Sequence, residues 1–297
     1  MMWDAVLIAG PTASGKSALA AELAERLQGI IVNADSMQVY RELRVLTARP
    51  SLAQEQRLPH RLYGHVPVTE RYSAGRYRDD ARAALAAARA GSRIPIFTGG
   101  TGLYFNVLTQ GLSPIPAVPA EIRDSLQTRL EDMGADAFFA EFAARDPETA
   151  SALRPSDTQR VLRAAAVLQA SGRPLRHWQR QPGTPVLKDL RLGCFVVAPP
   201  RDELHRRIDA RVVAMMEEGA LDEVRPLAGL DPALPAARAL GVQVLLGVHS
   251  GAASLESATE ALQGATRRYA KRQMTWLRRF MRDWKWLENG NLSNIIP

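Results

Sequence analysis

Gly10-Pro11-Thr12-Ala13-Ser14-Gly15-Lys16-Ser17 fits the spacing G-x-x-x-x-G-K-[ST], behind the apolar run Ala5–Ala9 and ahead of an amphipathic stretch from Ser17 to Leu27. Glycines in such a loop let backbone N–H groups converge on phosphate oxygens, and the N-terminus of the next helix adds partial positive charge. Lys16 supplies a full charge and the Ser17 hydroxyl can hold Mg²⁺. The whole run from Gly10 to Ser17 is therefore expected to bind a diphosphate or nucleotide. The motif does not select the ligand: ATP and other diphosphate esters fit the same cradle.

Asp35 follows the apolar run Ile30–Val32. Ligands bind at strand C-termini in open α/β sheets, so Asp35 is expected to face the phosphate loop. A lone Asp in that place also serves as a cap or turn residue; a phosphate cradle beside it favours chemistry. Gly99-Gly100-Thr101-Gly102 leaves the run Ile94–Thr98 in the same way and brings the Thr101 hydroxyl to that edge. The plain alternative is a strand-to-helix turn with Thr101 as a cap. A basic series, Arg201, Arg206, Arg207 and Arg211, follows the run Leu192–Ala198. Arg207 and Arg211 are four apart and share a helix face. Contact with the diphosphate and a solvated face both fit that spacing.

The charge is uneven. Lys and Arg total 38 against 31 acidic residues, a net +7, and between Thr266 and Lys285 eight basic residues stand against one acid. Ala270, Met274, Leu277, Met281 and Trp284 recur there at helical spacing, as a buried stripe would. Lys271, Arg278, Arg282 and Lys285 are then expected to face elsewhere together. A local excess of seven, equal to the net charge of the chain, favours contact with an RNA backbone over a merely solvated helix. Tyr269, Trp276 and Phe280 lie among these charges and could stack on bases or pack inward.

The four apolar runs read as strands, and the helical patterns Ser17–Leu27 and Tyr77–Ala90 lie between them. That alternation predicts an α/β fold with a parallel sheet covered by helices. The run Ser113–Pro119, rich in proline, can continue neither helix nor strand. From Ala120 to about Gln181 every segment reads as helix, and Gln181–Pro185 closes the stretch. We expect an α/β core over 1–114 and 182–297 with an all-helical insertion over 115–181. Hydrophobic residues are 46% and charged residues 23% of the 297, as in soluble proteins, and no apolar run approaches bilayer length. Met1-Met2-Trp3-Asp4 lacks the basic start of a signal peptide, which predicts a cytoplasmic protein without a membrane partner. The single Cys194 allows no internal disulfide and reads as a small buried hydrophobe.

Taken together, GPTASGKS at 10–17, DSMQVY at 35–40 and GGTGLY at 99–104 resemble the tRNA dimethylallyltransferase (tRNA isopentenyltransferase) family. SPIPAVPAEIR ending at Arg123, DTQRVLRA at 157–164 and TRRYAKRQMTWLRR at 266–279 extend the resemblance, which runs from Ala5 to about Leu287. It implies a P-loop NTPase-like core with a helical swinging domain. It also implies transfer of a dimethylallyl group from dimethylallyl diphosphate to N6 of adenine 37, beside the anticodon of a tRNA, with Mg²⁺. Carried over, Thr12 to Ser17 hold the diphosphate and Asp35 is the general base. Thr101 and Arg123 touch the tRNA. The tRNA-contact regions are Asp35, Ser36, Met37 and Gln38; Gln159, Arg160, Val161, Leu162 and Arg163; Arg238, Gly241 and Gln243; and Lys271, Arg272, Gln273 and Arg278. The tRNA partner is expected to be engaged at its anticodon stem-loop by a monomer.

Two segments depart from the family pattern. Leu46-Thr47-Ala48-Arg49-Pro50 stands where GTAKP is usual, and Gly241-Val242-Gln243 lacks the usual aromatic. The absence of a C-terminal Cys/His finger matches bacterial members. A small-molecule P-loop kinase, with ATP in the cradle and Asp35 activating a hydroxyl, is the main rival. It leaves the helical insertion and the basic C-terminal segment unexplained. A nearer rival is an adenylate isopentenyltransferase, whose acceptor is a free nucleotide. Asp35 with Thr101 argues against an RNA-binding protein without catalysis.

Overall fold

The computed structural model describes residues 3–288 together with Gly290 and Ile295. The chain forms two compact units, 1–109 with 186–297, and 110–185.

The first unit is built on six parallel strands in the order β3-β2-β4-β1-β5-β6. β1 (Ala5–Ala9) lies between β4 (Pro95–Gly99) and β5 (Leu192–Val197), with Val6 opposite Ile96 on one side and Gly193 on the other. All five β1 residues are buried, the pattern of a parallel strand covered on both faces. Outside them lie β2 (Ile30–Asn33), β3 (His60–Arg61) and, at the other edge, β6 (Lys285–Leu287). α1 (Lys16–Leu27) sets Leu19, Ala20, Leu23 and Ala24 on Ile8, Ile31 and Ile96, so the helix opened by the phosphate loop is anchored by its apolar face.

Further helices fill the crossovers: α2 (Leu52–Arg57), α3 (Ala74–Ala90) and α4 (Gly102–Thr109). The Ser73 side chain accepts the Arg76 N–H and starts α3.

The second unit contains α5 (Ala120–Met133), α6 (Ala135–Arg145), α7 (Pro147–Ala150), α8 (Thr158–Ser171) and α9 (Leu175–Gln179). It has its own core, with Leu126, Phe138, Phe142, Val161, Ala164 and Val167. It is wider at both ends than 115–181. Its two connectors pack on each other so closely that a Cβ on Gly111 would lie 2.6 Å from the Gly183 and Thr184 backbone. The chain is back in the first unit where the Val186 and Leu187 N–H groups reach the Val107 and Leu108 carbonyls, at 3.3 and 2.9 Å.

After β5 come α10 (Arg201–Glu217), α11 (Ala220–Val224), two short 3₁₀ turns, α12 (Val242–His249) and α13 (Leu255–Phe280). Two strands escape the sequence reading. β3 is only two residues long, and β6 lies in the segment read as a continuing helix. α13 stops at Phe280, and Met281 leaves helical geometry at φ −124° and ψ 39°. Lys285–Leu287 then pairs with Phe195–Val197 and covers the open edge of β5. Arg282 and Lys285 therefore do not continue the face of Lys271 and Arg278. Helical spacing persisted through a turn because Met281 is buried and Trp284 packs edge-on against Phe105, by docking instead of by helix. Cys194 on β5 is half-buried, and loss of solvent pushes its thiol up to about 11. No helix among the described residues is long and apolar enough to cross a membrane.

Candidate active site

The loop after β1 turns through left-handed backbone at Ala13 (φ 63°) and Gly15 (φ 92°) immediately ahead of α1. Lys16 Nζ donates to the Pro11 carbonyl at 3.1 Å. Desolvation, opposed by the Asp35 carboxylate and reinforced by the Arg211 charge, lowers the Lys16 ammonium to about 8. The two arginines left open by spacing both reach this loop from α10. Arg207 Nη1 donates to the Ser14 carbonyl at 3.3 Å, and its Nε pairs with Glu203 at 2.7 Å. The Arg211 guanidinium donates to the Thr12 hydroxyl, and burial lowers it to about 10. Arg206 turns away to Glu203 and solvent.

These groups wall a cleft of about 450 Å³ that Asp35, Gln38 and the segment Thr47–Pro50 also line. Ser17 is exposed there. No cluster of three or more His, Cys, Asp or Glu among the described residues could hold a metal by itself. A hydroxyl and one carboxylate on the same cleft suit Mg²⁺ of the kind that arrives on phosphate oxygens and keeps much of its water.

Asn33 at the end of β2 shapes the Asp35 turn. Its side chain accepts the Asp35 N–H at 2.8 Å and donates to the Asp35 and Leu62 carbonyls at 2.9 and 3.0 Å. Asp35 Oδ1 accepts the Met37 N–H at 3.0 Å. The carboxylate also lines a second cleft of about 280 Å³, with Met37, Leu46, Met215, Leu262 and Tyr269 among its apolar walls and Arg238 and Arg272 among its cations. Thr12, Asp35, Thr47 and Arg211 belong to both clefts. Burial and the nearby Asp35 charge push the Tyr269 phenol up, so it remains a neutral hydroxyl. Met215 was legible in principle, because it lies four residues after Arg211 on the same helical face.

Thr101 lines neither cleft. Its hydroxyl accepts the Ser36 N–H at 2.9 Å and donates to the Ser36 hydroxyl at 3.2 Å, so it braces the Asp35 turn and caps nothing. Gln38 is committed in a similar way, donating to the Thr47 and Ala48 carbonyls, both at 2.9 Å. Glu223 on α11 escaped sequence reasoning, since nothing local marks it. Its carboxylate accepts the N–H groups of Arg44, Val45 and Leu46 at 2.7, 2.6 and 2.8 Å, anchoring the segment that lines both clefts. Two α13 side chains close over the turn after β4. A Cβ on Gly102 would run into the Trp276 ring, so that position needs glycine, and one on Gly100 would displace the Gln273 amide.

Comparison with known proteins decides the family. A family described as IPP transferase matches residues 38–280, and one described as isopentenyl transferase matches residues 3–69. The chain belongs to the IPP transferase family.

Two relatives named tRNA dimethylallyltransferase are similar over nearly their whole length. The one from Nitrobacter hamburgensis is 51% identical, covering 99% of this chain and 95% of its own. The one from Rhodospirillum centenum is 55% identical, covering 92% and 88%. A eukaryotic dimethylallyltransferase solved in crystallographic snapshots acting on tRNA is 26% identical, with a TM-score of 0.78 over 97% of this chain and 74% of that one. This IPP transferase is thus an enzyme, a transferase with an α/β P-loop-like core, and the kinase alternative falls.

Within this IPP transferase, the RNA-facing residues named from the resemblance fall into separate groups. Ser36, Met37, Arg238 and Arg272 line the second cleft. Gln273 is 6% exposed and Gly241 is buried at φ 96°, where Leu46 and Leu262 crowd it. Neither offers a side chain to RNA, because a contiguous run on a helix or tight turn cannot face one way throughout. Gln243 donates to the Ala237 carbonyl at 3.1 Å and stays exposed. Lys271 and Arg278 lie on another face of α13, across from the start of α10. Together with Arg201, His205, Arg267 and Arg268 they line a cleft of about 460 Å³ that no acidic residue lines. From α10, His205 was missed and Arg201 was read only within its own basic series, because spacing within one helix says nothing about its neighbour. Trp276 and Leu277 pack inward, while Phe280 is 44% exposed.

In the helical unit Val161 is 2% exposed and belongs to the core, which turns its side chain away from solvent, with Leu162 half-buried against that core. Gln159, Arg160 and Arg163 remain outward, as does Arg123 on α5. Arg160 pairs with the α8 cap Asp157 at 3.4 Å. Partial burial and the Arg123 charge lower Arg163, as expected of two cations sharing a surface.

Proposed function

We propose that this chain transfers the dimethylallyl group of dimethylallyl diphosphate to N6 of an adenine in tRNA, position 37 beside the anticodon, and releases diphosphate. The observation that carries the reading is Asp35, whose carboxylate stands where a cationic phosphate-loop cleft meets an apolar-walled one. Relatives named for the same transfer support it.

The exocyclic amine of adenine is a weak nucleophile because its lone pair is delocalised into the ring. As N6 bonds to the donor carbon C1, the C1–O bond breaks and diphosphate leaves with the electron pair. Asp35 takes the proton that N6 sheds. Charge developing on the leaving group meets Lys16, Arg207, Arg211 and the N–H groups of the loop. Mg²⁺, bound through phosphate oxygens and Ser17, would add to that stabilisation. The adenine must leave its stack to reach Asp35, which costs least in a single-stranded loop. Arg238 and Arg272 at the second cleft, and the α10–α13 cations, would hold the RNA backbone around it. Arg123, Gln159, Arg160 and Arg163 would do so on the helical unit. Both clefts at Asp35 are lined by one chain, so a monomer suffices. We place the reaction in the cytoplasm, where tRNA is found.

Labelled dimethylallyl diphosphate with Mg²⁺, offered tRNA, AMP or ATP in parallel, tests the reading. Label should enter tRNA alone. Label in AMP or ATP would assign a free-nucleotide acceptor instead.

A further inference from the structure

Gln273 is one of few buried polar side chains, and its amide is used at both ends. Oε1 accepts the Thr12 N–H at 2.9 Å, and Nε2 donates to the Gly100 carbonyl at 3.0 Å. Thr12 belongs to the loop after β1 and Gly100 to the turn after β4, so one α13 side chain joins two strand ends. The orientation of the amide follows from its partners, because an N–H faces one end and a carbonyl the other. Each partner leads onward to a reacting group. The Thr12 hydroxyl accepts from Arg211, and a Cβ on Gly100 would lie 3.3 Å from Asp35 Oδ2. Leu or Met would fill the same space between α13 and the sheet without needing either bond. What the amide adds is a fixed separation between the two loops.

We propose that Gln273 is a positioning residue for the transfer, setting the phosphate loop against the Asp35 carboxylate and so the donor carbon against the attacking amine. This rests on the reading of Asp35 as the base. The Thr12 N–H is engaged by Gln273, which leaves Lys16 and the other N–H groups of the loop for the diphosphate on the proposed reading.

The two ends of the amide make distinct variants informative. Gln273→Met keeps the volume and loses both bonds. Gln273→Glu, when ionised, still accepts from Thr12 but sets an oxygen against the Gly100 carbonyl. When protonated it restores both bonds.

The test compares steady-state kinetics, thermal unfolding and Thr12 amide exchange by NMR in wild type and both variants. Gln273→Met should lower kcat about thirty- to a hundredfold, the scale of an ångström of misplacement, with KM for donor and tRNA within about threefold. The Thr12 amide should exchange faster. For Gln273→Glu, kcat relative to wild type should rise as pH falls from about 9 to about 6, since protonation rebuilds the bridge. A packing role would leave that ratio flat. If Gln273→Met retains kcat within about threefold, or loses activity through KM alone, the positioning role is wrong. If Gln273→Met does not fold, the pH ratio of Gln273→Glu decides, and a flat ratio overturns the proposal. If wild type transfers no prenyl group, the proposed function fails, while Thr12 exchange still reports whether the tether exists.

Discussion

Thr101 is bonded twice to Ser36, accepting its N–H at 2.9 Å and donating to its hydroxyl at 3.2 Å. The pair ties the turn after β4 to the turn that carries Asp35, in parallel with the Thr101 N–H, which reaches the Ala34 carbonyl at 3.2 Å. Thr101→Val keeps the shape and strands the Ser36 N–H, a loss of about 1–3 kcal/mol where water cannot replace the bond. We expect kcat to fall about tenfold through displacement of Asp35, with Thr101→Ser close to wild type. Single-turnover rates for both variants check this, and a Thr101→Val enzyme with wild-type rates would make the bonds incidental.

Asp35→Asn preserves the acceptor for the Met37 N–H and removes the proton acceptor. The transfer rate should drop by about 10²–10⁴, the usual contribution of a general base, while tRNA affinity stays within about threefold. Rapid-quench transfer assays and filter binding measure the two quantities. Turnover near the wild-type rate would place the base elsewhere.

Lys16 should make donor binding sensitive to pH. Its ammonium is lowered to about 8, and on the proposed reading the diphosphate binds the charged form. Donor affinity should therefore be insensitive to pH below that value and weaken as pH rises through it, by up to about tenfold per unit. Arg211, held at about 10, stays charged across the same range. Calorimetric titration of dimethylallyl diphosphate from about pH 7 to about pH 9 should show the fall in wild type. In Lys16→Met binding should be weak and level. A level wild-type profile would mean that Lys16 does not meet the diphosphate.

The cleft between α10 and α13 predicts an electrostatic role. Replacing Arg201, Arg268, Lys271 and Arg278 by Gln should weaken tRNA binding and flatten its salt dependence, with each lost phosphate contact removing about 0.7–0.9 from the log–log slope. Donor affinity without tRNA should not change, because the phosphate-loop cleft and this one share no lining residue. An unaltered slope would mark these cations as solvated surface.

The sequence by itself determined the local chemistry. Gly10 to Ser17 identify a phosphate loop because the motif is contiguous and its context, strand then helix, is local too. Asp35 and Thr101 were legible as strand-end residues because parallel sheets place such ends on one edge, and α1, α3 and the helices of the insertion followed from helical spacing. Only the tertiary structure decided what each polar group faces. It took Lys271, Arg272 and Gln273, consecutive in sequence, to three destinations: the α10–α13 cleft, the second Asp35 cleft and the interior. It brought Arg207 and Arg211 to the phosphate loop and sent Arg206 to solvent, a choice that spacing leaves open. It ended α13 at Phe280 and used Lys285–Leu287 as a strand, since the unpaired edge of β5 outweighs a helical pattern that continues only by coincidence. Local pattern reports which face of an element is apolar; which partner waits opposite that face depends on chain brought from far along the sequence, as Gln273 reaching Thr12 across 261 residues makes plain.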